Sequence, residues 1–109
     1  MRVIAKPALR EFWKRFPDAE EPLEAWYHLM RRREYANPNQ LKAEFGTASL
    51  LADGHVVFNV GGNKYRLVVH IRYELGIIFI KRVLTHAEYD RLNAEGTLIE
   101  RKDKRGPKA

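Results

Sequence analysis

Residues 55–90 read HVVFNVGGNKYRLVVHIRYELGIIFIKRVLTHAEYD, and their spacing decides the centre of the fold. Val56, Phe58 and Val60 alternate with less buried positions up to Gly61-Gly62, a pair that tolerates the positive φ a tight hairpin needs. The chain returns from Lys64 to Tyr73 as a second strand. Strand side chains alternate, so Tyr65, Leu67, Val69, Ile71 and Tyr73 share one face, and Lys64, Arg66, Val68, His70 and Arg72 the other. The first face is apolar and aromatic. The second gathers three cations and a histidine around one valine, a surface suited to an anionic partner. Glu74-Leu75-Gly76 turns the chain again, and Ile77 to Ile80 form an apolar run expected to be a strand buried on both faces. Lys81 and Arg82 follow it. Thr85 with Glu88 three residues later has the spacing of a capping box, so a helix is expected with His86 as its first residue.

Working outward, Arg2 to Ala5 is short and β-prone. Pro7 suits the opening turn of a helix, and Leu9, Phe12, Trp13 and Phe16 then recur at helical spacing until Phe16-Pro17-Asp18. A second helix is expected from about Ala19 to Pro22 onward, presenting Leu23, Trp26, Tyr27 and Met30. Glu20, Glu21 and Glu24 at its start and Arg31, Arg32 and Arg33 at its end match the helix dipole. Asn37-Pro38-Asn39 breaks it, Gln40 to Phe45 allows one further helical turn, and Ala48 to Ala52 a linking strand. The expected class is α+β in the order β-α-α-β-β-β-α, with two N-terminal helices packed on one face of a mainly antiparallel sheet.

The composition (45% hydrophobic, 31% charged) is that of an ordinary globular domain rather than a disordered or membrane-spanning chain. Residues 1–100 are expected to form a single domain. Of the twenty Lys and Arg residues five lie in 101–109 against one Asp, so most of the net charge of +6 sits in a basic tail expected to be disordered. The N-terminal residues lack the apolar core of a signal peptide, which points to the cytoplasm. There is no cysteine, so thiolate metal sites, disulfides and cysteine nucleophiles are excluded.

Most enzymatic signatures fail. Gly61-Gly62-Asn63-Lys64 lacks the spacing of a phosphate-binding loop, no two histidines stand at i, i+4, and Ser49 is the only serine. No metal ligand set and no cofactor are expected. What remains is Lys64, Arg66, His70, Arg72, Lys81, Arg82, His86, Tyr89 and Asp90. That set suits cleavage of RNA through the substrate's own 2′-OH, which needs no protein nucleophile and no metal. A histidine moves protons near neutral pH, and fixed cations stabilise the phosphorane. Taken singly, His70 also fits a mid-strand packing residue, His55 a turn residue and Tyr89 an anchor for the core.

The segments REFWKRFPDAEEPLEAWY, VVFNVGGNKYRLVV and THAEYD resemble those of HigB-type toxins of bacterial type II toxin–antitoxin modules, within the RelE-like superfamily. The likeness runs over residues 1–92 and leaves the basic tail outside. It implies a compact α+β fold, cleavage of mRNA on the translating ribosome, and neutralisation by a HigA-like helix-turn-helix antitoxin. It also implies that Arg66, in Tyr65-Arg66-Leu67, contacts the scissile phosphate, and that His86 and Tyr89 are catalytic or RNA-stacking groups. Lys64, His70, Arg72, Lys81 and Arg82 are the candidate RNA-binding residues. The paired lysines of RelE-type enzymes have no counterpart between Val56 and Val60, which leaves the general base open, with His70 as the alternative to His86. Two other classes share the same sequence features: a non-enzymatic toxin of this fold that binds a protein such as gyrase, as ParE-like members do, and a non-toxic basic RNA-binding module. The joint presence of Arg66, His86 and Tyr89 favours the endoribonuclease.

Overall fold

The structure, a computed structural model, describes residues 1–99. The basic stretch at 101–109 lies outside the described residues. Strand β1 (Arg2–Ile4) leads into helices α1 (Lys6–Arg15), α2 (Glu20–Arg32) and α3 (Pro38–Glu44), with a 3-10 turn at Pro17–Ala19 between the first two. Strands β2 (Ser49–Leu50), β3 (His55–Val60), β4 (Tyr65–Arg72) and β5 (Ile77–Thr85) follow, and helix α4 (His86–Glu95) comes last. The sheet order is β1-β5-β4-β3-β2, so β4 is central. Consecutive strands from β2 to β5 pair antiparallel, while β1 pairs parallel to β5. The class is α+β with a mixed sheet.

Compared with the expected order, the chain adds one helix and one strand. Asn37 supplies the reason for the helix: its side chain accepts from the Gln40 N–H at 3.0 Å, and Pro38 occupies the first helical position. A cap and a proline together start a helix two residues before Gln40. The linking strand is only Ser49–Leu50, because Ala52–Gly54 winds into a 3-10 turn.

The core lies between the sheet and the first three helices. Leu9 and Phe12 of α1, Leu23, Trp26 and Met30 of α2 and Leu41 of α3 meet Val56, Phe58, Leu67, Val69, Ile71 and Ile78 of the sheet. Leu9, Leu23, Leu67 and Ile78 are fully buried, each worth roughly 1.5–3 kcal/mol of hydrophobic stabilisation. The alternation read along β4 places its apolar face here, toward the helices.

Two local corrections bear on the site. The β3–β4 loop is Gly61–Lys64, four residues rather than a two-residue turn, so β4 begins at Tyr65 and Lys64 belongs to the loop. Strand β5 does not end at Ile80 but continues through Lys81 and Arg82 to Thr85. Val69 pairs with Ile80 and Val68 with Arg82, leaving Lys81 as the extra residue of a β-bulge. Ile78, Ile80 and Val83 thereby reach the main core, while Leu84 joins a second cluster with Val57, Val68 and Leu98. Leu51, Tyr89 and Leu92 pack against that second cluster. The face read as a cationic surface is therefore covered at its middle by α4 and by Leu98, three residues beyond its end.

Candidate nucleic-acid interface

With its middle covered, the second face of the sheet presents functional side chains at its two ends. At one end stands Arg66, which faces Asn59 on β3 and Leu84 on β5. Only 9% of it is exposed. A buried guanidinium needs partners, and here Nη1 donates to the carbonyls of Asn63 and Tyr65, each at 3.2 Å. Its Cζ lies 5.4 Å from the centre of the Tyr89 ring, a cation–π contact from strand to helix.

Helix α4 begins at this end because the capping box read from the sequence is formed. Glu88 N donates to Thr85 Oγ1 at 3.2 Å, and Thr85 N donates to Glu88 Oε1 at 3.0 Å. His86 N also donates to the Lys64 carbonyl at 2.9 Å, tying the helix start to the β3–β4 loop. The His86 side chain is half exposed, with Nε2 3.5 Å from Asp90 Oδ2 one turn on. Arg66, Tyr89 and His86 thus share one end of the sheet, hung from one loop.

That loop is itself anchored. Asp18, in the 3-10 turn after α1, accepts from Lys64 Nζ at 2.7 Å and from Tyr65 Oη at 2.5 Å. The Lys64 hydrogen bond, then that of Tyr65, holds the Asp18 carboxyl below the usual range, and Asp18 together with burial pushes the Tyr65 phenol up. Lys64 therefore serves an ion pair to the helical side of the sheet rather than the face of Arg66.

At the other end His55 and His70 are cross-strand partners, and their rings stack with centroids 4.7 Å apart. Phe79 of β5 continues the row, 6.3 Å from His70. The His55 ring touches the Ala52 carbonyl through Nδ1 at 3.0 Å; a carbonyl only accepts, so Nδ1 carries the proton. Burial foremost, then His55, Lys81 and Arg72, hold the His70 imidazole below its ordinary range. Gly54 is required beside it: its φ of +79° is left-handed, and a Cβ there would stand 3.0 Å from the Ile71 carbonyl and 3.3 Å from the His70 ring. Arg72 is paired with Glu74, Nη2 to Oε2 at 2.6 Å. Among the described residues Lys81 and Arg82 have no carboxylate partner, and no three His, Asp or Glu side chains converge as a metal site would need.

Residues 19–92, from the end of the 3-10 turn through most of α4, match the HigB toxin family, the RelE-like toxic component of a toxin–antitoxin system. The chain belongs to this family. It is 33% identical over 96 residues to the mRNA interferase toxin HigB of Escherichia coli K12, an alignment covering 86% of this chain and 92% of that protein. The mRNA interferase HigB of Shigella flexneri matches to the same extent. That of Escherichia coli O6:H1 is 26% identical over 94 residues, 84% of this chain and 91% of its own length.

Within the HigB family frame, the residues singled out from sequence divide into three groups. Arg66, His86 and Tyr89 come together at one end. His70, Lys81 and Arg82 lie toward the other. Lys64 and Arg72 are each bound to a carboxylate of the chain's own. Sequence reading placed His55 in a turn. Counting the hairpin register outward from Val60↔Tyr65 would have put it in β3 opposite His70. Asp18 carried no local signal, since its partners are more than forty residues away.

Proposed function

We propose that this chain is the toxin of a type II toxin–antitoxin module, an endoribonuclease that cleaves mRNA on the translating ribosome in the cytoplasm and so inhibits translation. Residues 1–100 are its single toxin domain. A HigA-like helix-turn-helix antitoxin neutralises it. The reading rests on membership of the HigB family, and the observation that carries its chemistry is the guanidinium of Arg66 fixed beside Tyr89, with His86 on the same loop-anchored helix start.

In this reading the substrate's 2′-oxygen attacks the adjacent phosphorus, a 2′-O–P bond forms and the P–O5′ bond breaks. The 2′-OH proton passes to a base, and a proton is delivered to the leaving 5′-oxygen. The products are a 2′,3′-cyclic phosphate and a 5′-hydroxyl. Arg66 is the phosphate clamp: it stays charged at every accessible pH, its backbone is held by ladders on both sides, and it stabilises the phosphorane without carrying protons. His86 is the proton carrier, and Tyr89 stacks on a base or positions the leaving group. His70, Lys81 and Arg82 extend the RNA track along the sheet; Lys64 and Arg72 border it while paired with Asp18 and Glu74. No metal or cofactor is needed, because the nucleophile belongs to the substrate.

Induced expression followed by mapping of mRNA 5′ ends, with and without the neighbouring antitoxin gene, tests the reading. Cuts within translated mRNA, with cyclic-phosphate or 3′-phosphate ends that persist in EDTA on intact ribosomes, are expected. Products with 3′-hydroxyl and 5′-phosphate ends would overturn the mechanism, and growth inhibition without RNA cleavage would overturn the activity.

A further inference from the structure

We infer that the pocket between His55 and the β5 bulge takes one nucleotide of a single-stranded RNA, its base among the apolar walls and its phosphate against Lys81 and Arg82. The pocket has a volume of ≈ 160 Å³ and combines two kinds of wall. Val68, Ile80, Leu98 and Ile99 supply apolar surface, while His55, Lys81 and Arg82 supply polar groups. A bare phosphate site has no use for four aliphatic residues, and an apolar ligand site has no use for two cations. A nucleotide uses both, because every base has an apolar face and a hydrogen-bonding edge joined to an anion.

Charge pairing distinguishes this place from the rest of the sheet. Lys64 and Arg72 are neutralised by Asp18 and Glu74, and Arg66 is assigned to the scissile phosphate. Lys81 and Arg82 have no carboxylate partner among the described residues, so positive charge remains available to an anion. The bulge creates this arrangement by inserting Lys81 without disturbing the partners of Ile80 or Arg82. His55 adds selectivity: with Nδ1–H committed to Ala52, its Nε2 is the ring atom left to meet a base edge. Stacking on His70 holds the ring in place.

Position links the pocket to the proposed cleavage site. Val68 stands two residues along β4 from Arg66 and on the same face, ~7 Å away by strand geometry, a span that one nucleotide bridges. A base held here flanks the phosphate held by Arg66, so the pocket reads sequence next to the cut. This assignment rests on the ribonuclease reading above.

The test uses the full chain labelled with 13C and 15N and titrated separately with AMP, GMP, CMP, UMP and inorganic phosphate. At least one nucleotide should shift the His55 ring and the Val68 and Leu98 methyls saturably, more tightly than phosphate does. Lys81→Met, at an exposed position, should weaken that binding by about tenfold, as loss of a charge-assisted hydrogen bond does. His55→Gln should narrow the difference among the four bases. Shifts confined to the Arg66–Tyr89 end, or phosphate matching every nucleotide in pattern and affinity, would overturn the pocket. In parallel, mapped cuts by His55→Gln should lose base preference at one position beside the cleaved bond; unchanged preference would also overturn it. If the unaltered chain cuts no RNA, the ribonuclease reading falls while the titration still decides the pocket.

Discussion

The Arg66 guanidinium carbon lies 5.4 Å from the centre of the Tyr89 ring, a contact that couples the central strand to the last helix beside the packing of Tyr89 and Leu92 on the Val68 cluster. The same guanidinium donates through Nη1 to the Asn63 and Tyr65 carbonyls. Its orientation is thus set by the strand, the loop and the helix together. Replacing Arg66 with alanine would remove packing as well as charge, so a polar or isosteric change separates the two better.

Arg66→Lys keeps the charge and loses the planar fork. Cleavage on programmed ribosomes should fall by about 10²-fold or more, the usual loss when one donor to a developing oxyanion is removed. Tyr89→Phe should retain the ring contact and most stability, whereas Tyr89→Ala should lose about 1 kcal/mol or more in urea unfolding. Cleavage by Arg66→Lys near that of the unaltered chain would remove Arg66 from the clamp role.

The His86–Asp90 pair sits at the exposed start of α4, away from the hydrophobic clusters. His86→Gln should therefore fold normally and bind RNA, but its cleavage rate should respond much less to pH between about 5.5 and 8.5. A profile for His86→Gln that superimposes on that of the unaltered chain would pass the base role to His70.

Asp18 makes a prediction about acid. Its folded carboxyl titrates below the ordinary range because Lys64 and then Tyr65 bind the charged form. The stability it contributes is present above the ordinary carboxylate range and is lost as pH falls through the folded value. Asp18→Asn should lower the melting temperature at neutral pH, and the gap to the unaltered chain should close in acid. Because the loop that Asp18 anchors accepts from Arg66 Nη1 through Asn63 and from His86 N through Lys64, kcat should fall more than KM rises. A gap that widens in acid would contradict the pairing.

His70 acts in a different window. Its folded form titrates below the ordinary histidine value of 6.5, chiefly through burial. The unfolded chain therefore binds the proton more readily, and stability falls as pH drops through the ordinary histidine range toward the folded value. Thermal unfolding from pH 7.5 to 5 should show a steeper loss for the unaltered chain than for His70→Phe. Equal slopes would mean that the ring is solvated in the folded state.

How much of this was legible in the sequence depends on the range over which each signal acts. The alternation of Tyr65, Leu67, Val69 and Ile71 and the Thr85–Glu88 box are local, and both formed where the spacing put them. The bulge was not legible, because Ile77-Ile78-Phe79-Ile80 is apolar throughout and only the partners on β4 reveal which residue is extra. Nor was the fate of Lys64, since alternation says which way a strand residue points but nothing of a carboxylate waiting in a distant turn. The covering of Val68 likewise depends on Leu98, which comes after the last helix. Residues read as one cationic face were separated by contacts that no short window of sequence contains.

Lys81 has a further meaning for how this sheet can change over generations. As the unpaired residue of the bulge it bears no cross-strand partner, while Ile80 and Arg82 on either side keep theirs. Chain length and ladder register are uncoupled at this one point of β5. A lineage can lengthen, shorten or recharge the strand here and leave the central ladder intact, whereas the same edit at Val83 would swap inside for outside all the way to the helix cap. The sheet carries a built-in expansion joint, and it opens beside the pocket assigned to the nucleotide.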